Sequence, residues 1–138
     1  MSELALCLDL RERRCLVVGG GEAAVAAARS LRAAGALVSV VADRASAAMR
    51  ELATDDAVQL HRRLFDPTDL GGVWFVVAAT DDPETDAVIA QAAEARQVFC
   101  EAQHAPASAY RPRAIDRGIA QIAVSGEGAP QGVGRVDL

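Results

Sequence analysis

Short apolar runs alternate with longer alanine- and leucine-rich stretches along most of the chain, a pattern that predicts a parallel sheet covered by helices. Residues 14–18 read as the first strand and 22–34 as a helix, with Gly35 closing it in the C′ position, where glycine tolerates a positive φ. Residues 36–42, ALVSVVA, make the second strand, 45–53 a short helix, and 57–60 a weaker strand before a turn containing Pro67. The run 73–79, VWFVVAA, has the unbroken apolar character of a central strand buried on both faces. Acidic capping candidates and Pro83 open a helix within 80–96, and 97–102 supplies another strand. After Pro106 the pattern changes. Residues 111–125 read as two strands joined directly at Asp116-Arg117-Gly118, and 126–138 is glycine-rich with neither periodicity, reading as a loop or flexible tail.

With 138 residues and 51% hydrophobic content, the chain has enough apolar surface for one proper core. Its longest apolar run is too short to cross a bilayer and residues 1–10 lack the features of a signal peptide, so a cytoplasmic protein away from membranes is expected. A net charge of −5 argues against a general nucleic-acid binder. All 14 basic residues are Arg, which excludes Schiff-base catalysis by lysine. Cys7, Cys15 and Cys100 are odd in number and lack CxxC spacing, so plain buried thiols are expected rather than disulfides or a metal site.

Between the first strand and the first helix stands Gly19-Gly20-Gly21-Glu22-Ala23-Ala24, which fits GxGxxA. In that motif Gly19 makes the tight turn, Gly21 allows close approach of a pyrophosphate, and Ala24 packs the helix on the strand. The helix amides that begin near Glu22 would face the phosphates. A bare structural turn also fits the glycines, but the strand before them, the helix after them and Asp43 at the end of the second strand favour a nucleotide loop. Asp43 stands where an acid accepts the ribose hydroxyls, favouring NAD; Arg44 beside it suits a 2′-phosphate. Asp43 also reads as a helix cap for the 45–53 segment. Thr80, Asp81 and Asp82 lie at the carboxyl edge of the sheet, where ligands of open α/β sheets bind, and they serve equally as helix caps. The expected organisation is a dinucleotide-binding domain over 1–106, a hairpin extension over 107–125 and a tail over 126–138.

The stretches LDLRERRCLVVGGGEAA, LFDPTDLGGVWFVVAATDDPETDAVIAQAAEARQVFCEA and AIDRGIAQIAVS, taken in order, resemble the siroheme synthase family, the module of precorrin-2 dehydrogenase and sirohydrochlorin ferrochelatase. The resemblance implies a Rossmann-type domain that uses NAD to oxidise precorrin-2, a tetrapyrrole, to sirohydrochlorin, with iron insertion in many members, and a homodimer built through the segment after the sheet. It puts Glu22, Ala23, Asp43 and Arg44 at the dinucleotide, beside Gly19 and Gly21 of the glycine motif and Thr80 at the sheet edge, which the residues themselves suggest as cofactor contacts.

The chain departs from the family in the reading CEAQHAP, where His104 takes the place of the aspartate proposed as acid/base. A neutral imidazole accepts a proton near pH 7 but supplies no fixed negative charge. Residues 107–113 are shorter than usual and bring Arg111 and Arg113 to positions that the family keeps apolar. Together with Ser125 at the head of the glycine-rich loop they are candidates to hold the carboxylates of a tetrapyrrole, although a charged edge strand explains the arginines as well. The helices that follow in the family have no counterpart here, so the dimerisation and substrate-covering portion is expected to be missing or supplied elsewhere. Three readings therefore stand: an active dehydrogenase with His104 as acid/base, a relative that binds dinucleotide or tetrapyrrole without turnover, and a ligand-sensing Rossmann module.

Overall fold

The computed structural model describes residues 3–111. Asp9–Tyr110 form one compact unit that carries every element below, while residues 3–8 and Arg111 belong to a second. The expected hairpin over 111–125, beyond Arg111 itself, and the tail over 126–138 lie outside the described residues.

Strands β1 (Arg14–Val18), β2 (Leu37–Val41), β3 (Val58–His61), β4 (Phe75–Ala78) and β5 (Phe99–Ala102) make one parallel sheet in the order β3-β2-β1-β4-β5. The chain builds outward from β1 through β2 to β3, then returns to the other side of β1 for β4 and β5. That reversal leaves a crevice at the carboxyl ends of β1 and β4, the switch point at which such sheets bind ligands.

Side chains of a strand point alternately to the two faces, and here each face has its own helices. Cys15 and Val17 of β1 pack with Val38 and Val40 under helices α1 (Glu22–Ala33) and α2 (Ala47–Leu52), through Ala24, Val25, Ala28, Leu31 and Met49. Leu16 and Val18 turn the other way, onto Val76, Cys100 and the Ile89–Ala93 stripe of helix α3 (Pro83–Ala95). The expected Rossmann-type sheet with helices on both faces is what the chain forms.

The ends of α1 follow from local chemistry. Gly35 takes φ 85°, its N–H donates to the Arg32 carbonyl at 2.9 Å, and the Ala36 N–H donates to the Leu31 carbonyl at 3.1 Å. This is the paired closure that glycine at C′ permits. The Pro67 turn is a 3-10 helix, Pro67–Leu70, started by reciprocal bonds between Asp66 and Asp69.

Three expectations need correction. The strand expected over 73–79 is β4, Phe75–Ala78, and its burial on both faces does not extend to Trp74, whose N–H still donates to the Arg14 carbonyl of β1 at 2.8 Å but which is 59% exposed with its ring under the Arg13 guanidinium at 4.5 Å. Cation–π stacking thus accounts for an aromatic residue that hydrophobicity alone assigned to the core. Gln97 and Val98 precede β5, which is an edge strand with Phe99 60% exposed. Cys15 and Cys100 are buried as expected, but Cys7 is exposed.

Candidate functional site

The glycine loop is welded to its neighbours by backbone contacts, and these decide which glycines the fold itself requires. Gly19 has φ 133°, and a Cβ there would overlap the Ala79 carbonyl at the end of β4. A Cβ on Gly20 would overlap the Arg44 carbonyl, and the Gly20 carbonyl accepts from the Ser46 N–H at 2.9 Å. Gly21 is different. It has φ −94°, ordinary for any residue, and the nearest atom to its missing Cβ is a side-chain oxygen of Asp81 at 3.1 Å. The fold needs glycine at 19 and 20, whereas at 21 the bare Cα opens onto the crevice.

Gly21 is also the N-cap of α1 and offers no side-chain oxygen to the first amides of the helix. Those amides and the positive end of the helix dipole suit a bound phosphate. Glu22 and Ala23 form the first turn, with Glu22 exposed and Ala23 half-buried.

Asp43 and Arg44 follow β2, are exposed, and line the crevice. The cap of α2 is Ser46, whose hydroxyl accepts the Met49 N–H at 3.1 Å, so the alternative reading of Asp43 as that cap falls away. Asp43 is left at the strand end with its carboxylate available to a ribose.

Across the switch point, Thr80 is held rather than free. Its N–H and hydroxyl both donate to Oδ1 of Asp86, at 3.1 and 2.6 Å, and Asp86 is fully buried in the first turn of α3 with Oδ2 unpartnered among the described residues. Asp82 caps α3, accepting from the Thr85 hydroxyl at 2.6 Å and the Glu84 N–H at 3.4 Å, and the Thr85 hydroxyl above all holds its carboxyl below the usual carboxylate range. Both readings of this segment therefore apply: Asp82 caps while Thr80 lines the crevice. Between them Asp81 takes φ 67°, with Oδ1 4.0 Å from Nε2 of His104. His104 follows β5 and its side chain is 39% exposed.

The crevice holds about 590 Å³, within the range of small-molecule and cofactor sites. Of the expected residues Gly19, Gly21, Asp43, Arg44 and Thr80 line it, whereas Glu22, Ala23 and His104 do not; Arg63, Leu64 and Phe65 from the loop after β3, which sequence reasoning missed, complete its wall. Arg63 is clamped bidentately by Asp69 at 2.9 and 2.7 Å, and that guanidinium is the main reason the Asp69 carboxyl lies below its usual range. The available signal was the run RRLFDPTD, in which Arg63 and Asp69 stand six residues apart around a proline. Cys15 and Cys100 are no part of the chemistry, since burial pushes both thiols up to about 11. Arg111 is exposed, and Arg113 and Ser125 lie outside the described residues.

A parallel sheet of this order, a glycine cradle at the head of α1 and an acid at the end of β2 define a Rossmann-type dinucleotide-binding domain. A family model described as "Putative NAD(P)-binding" matches residues 6–110, and the chain belongs to that family. A nicotinamide dinucleotide is thus the cofactor class, as the glycine loop predicts. Siroheme synthase 2 of Klebsiella pneumoniae subsp. pneumoniae is 39% identical over 130 residues, covering 93% of this chain and 28% of that protein. Siroheme synthase of Salmonella schwarzengrund is 38% identical over the same shares of each. The chain therefore spans about 28% of the length of these relatives. A solved structure of SirC, precorrin-2 dehydrogenase, superposes with a TM-score of 0.60 and 27% identity, covering 79% of this chain and 51% of that one. These matches bear out the resemblance to siroheme synthases. Among the described residues no helix is long and apolar enough to cross a membrane.

Proposed function

We propose that this chain is the NAD-dependent dehydrogenase portion of a siroheme-forming protein and oxidises precorrin-2 to sirohydrochlorin. The observation that carries the reading is Gly21, a glycine that the fold does not need, standing at an uncapped helix N-terminus beside an uncommitted Asp43. A residue with a side chain would fill the space that a pyrophosphate requires. The siroheme synthase relatives and the precorrin-2 dehydrogenase neighbour supply the substrate class.

The roles divide along the crevice. The amides at the head of α1 bind the pyrophosphate, Asp43 accepts the ribose hydroxyls, and Thr80, immobilised by Asp86, lines the wall at the end of β4. When bound, the dinucleotide supplies the acceptor for the hydride that leaves the reduced macrocycle. His104 takes the accompanying proton as base. Arg111, Arg113 and Ser125 are the positions proposed to receive the acetate and propionate groups of the tetrapyrrole. A cytoplasmic homodimer is the setting proposed for this chemistry, following the resemblance.

The test is to mix the full chain with enzymatically made precorrin-2 and NAD and follow sirohydrochlorin absorbance beside NADH fluorescence. Equal appearance of both products supports the proposal, and His104→Ala should lower the rate at least about tenfold. NAD binding without either product would instead favour the reading of a relative that binds without turnover. No NAD binding at all would remove both.

A further inference from the structure

Asp81 stands between the glycine cradle and His104, and neither the fold nor the reaction outlined above makes use of its carboxylate. Its backbone adopts φ 67°, a left-handed conformation uncommon for a residue with a side chain. The neighbours on both sides explain how it is held there: Thr80 is tied to Asp86, and Asp82 is committed to the head of α3. The carboxylate lies at the crevice wall with its side chain 65% exposed. Oδ2 is 3.1 Å from the place of a Cβ on Gly21, and Oδ1 is 4.0 Å from His104 Nε2. One side chain thus bridges the phosphate cradle and the imidazole.

We propose that Asp81 is a positioning residue which orients His104 and, when the crevice is occupied, makes it a stronger base. The inference rests on the reading of the crevice as a dinucleotide site. A pyrophosphate over Gly21 carries the same sign of charge as Asp81, so the carboxylate retreats from the cradle, and the donor within reach is Nε2–H of His104. Shortening the 4.0 Å approach to a hydrogen bond engages Nε2–H and leaves Nδ1 as the basic nitrogen. The carboxylate then stabilises the imidazolium formed when Nδ1 takes a proton, whether from solvent during titration or from substrate in turnover. Occupancy of the cofactor site would so be linked to base strength.

At the ends of the elements that face the crevice, the other charged or titratable groups are Asp82, Glu84 and Asp86 at the head of α3, Cys100 and Glu101 on β5, and Glu22 at the head of α1; Arg29, Arg32 and Glu94 lie farther along α1 and α3. Asp82 and Asp86 already bind Thr85, the Glu84 amide and Thr80. Asp81 is the group whose position spans the cradle and the imidazole.

The experiment is an NMR titration of the imidazoles of the full chain, with and without saturating NAD, in the parent and in Asp81→Asn. The chain has two histidines, so His104→Gln assigns the signals and His61 reports on the integrity of the fold. Asparagine suits a left-handed backbone, so the variant keeps the turn while losing the charge. In the parent, NAD should raise the proton affinity of His104 about three- to tenfold, and Asp81→Asn should remove more than half of that rise. Phosphate charge acting directly on His104 would survive the substitution. A rise that is absent in the parent, or unchanged in Asp81→Asn, overturns the role of Asp81 while leaving the cofactor site intact. Failure of NAD to bind the parent overturns the site and this inference together. In turnover, the acid limb of the pH–rate profile should move to lower pH in Asp81→Asn.

Discussion

Thr80 gives both its N–H and its hydroxyl to one oxygen of Asp86, at 3.1 and 2.6 Å, and so joins the end of β4 to the first turn of α3 beneath the crevice. A buried acceptor serving two donors is expensive to remove. Asp86→Ala should destabilise the fold by about 1–3 kcal/mol, because the half-buried Thr80 N–H loses its side-chain acceptor and the Thr80 hydroxyl keeps only the longer bond to the Asp82 carbonyl at 3.2 Å. Asp86→Asn keeps a side-chain acceptor for both Thr80 donors, so it should lose less than Asp86→Ala. Urea unfolding of the two variants checks the difference, and equal losses would contradict the role given to the acceptor.

In the proposed site Asp43 and Arg44 would set opposing preferences at the ribose end. A carboxylate accepts ribose hydroxyls and repels a 2′-phosphate, whereas a guanidinium attracts one. With Ser46 serving as the helix cap, Asp43 has no competing task at that helix end. The parent should bind NAD about three- to tenfold more tightly than its 2′-phosphorylated form, and Asp43→Ala should erase or reverse that margin. Calorimetric titration with both cofactors measures it. Tighter binding of the phosphorylated form by the parent would assign the ribose end to Arg44.

The clamp between Arg63 and Asp69 holds the loop that forms the far wall of the crevice. The folded chain lowers the Asp69 carboxyl below its ordinary value of 3.8, chiefly through Arg63. A group lowered on folding contributes its stability above the unfolded value and loses it as pH falls through the folded one. Asp69→Asn should therefore reduce stability by about 1 kcal/mol at pH 7 and flatten the acid side of the stability–pH curve. Thermal melts between pH 7 and about pH 3 test this, and parallel curves for parent and variant would contradict it.

Much of this architecture is legible in the sequence because the strongest signals are local. The glycines after β1, Gly35 after α1 and Pro83 at the head of α3 act on their own backbones, and they mark the ends of their elements closely. What escaped depends on partners far along the chain. Gly20 sits at an unspecified position of the motif, yet the Arg44 carbonyl requires it to be glycine. Asp86 looks like one more acid in a solvated helix start until Thr80 folds over it. Trp74 extends an apolar run but is exposed, with its ring stacked under Arg13. The wall formed by Arg63 to Phe65 exists only because β3 ends beside β2, a consequence of strand order rather than of any motif.

The account turns on Gly21, where the fold tolerates a side chain and the proposed ligand does not. With φ −94° and ψ −162° the backbone is open to a β-branched residue, and the nearest neighbour of a new Cβ is the side-chain oxygen of Asp81, which can move aside. Gly21→Val should therefore melt within a few degrees of the parent while its affinity for NAD, measured by calorimetry on the full chain, falls at least about thirtyfold. Equal NAD affinity in a parent and a variant that are both folded would contradict the placement of the dinucleotide at this loop.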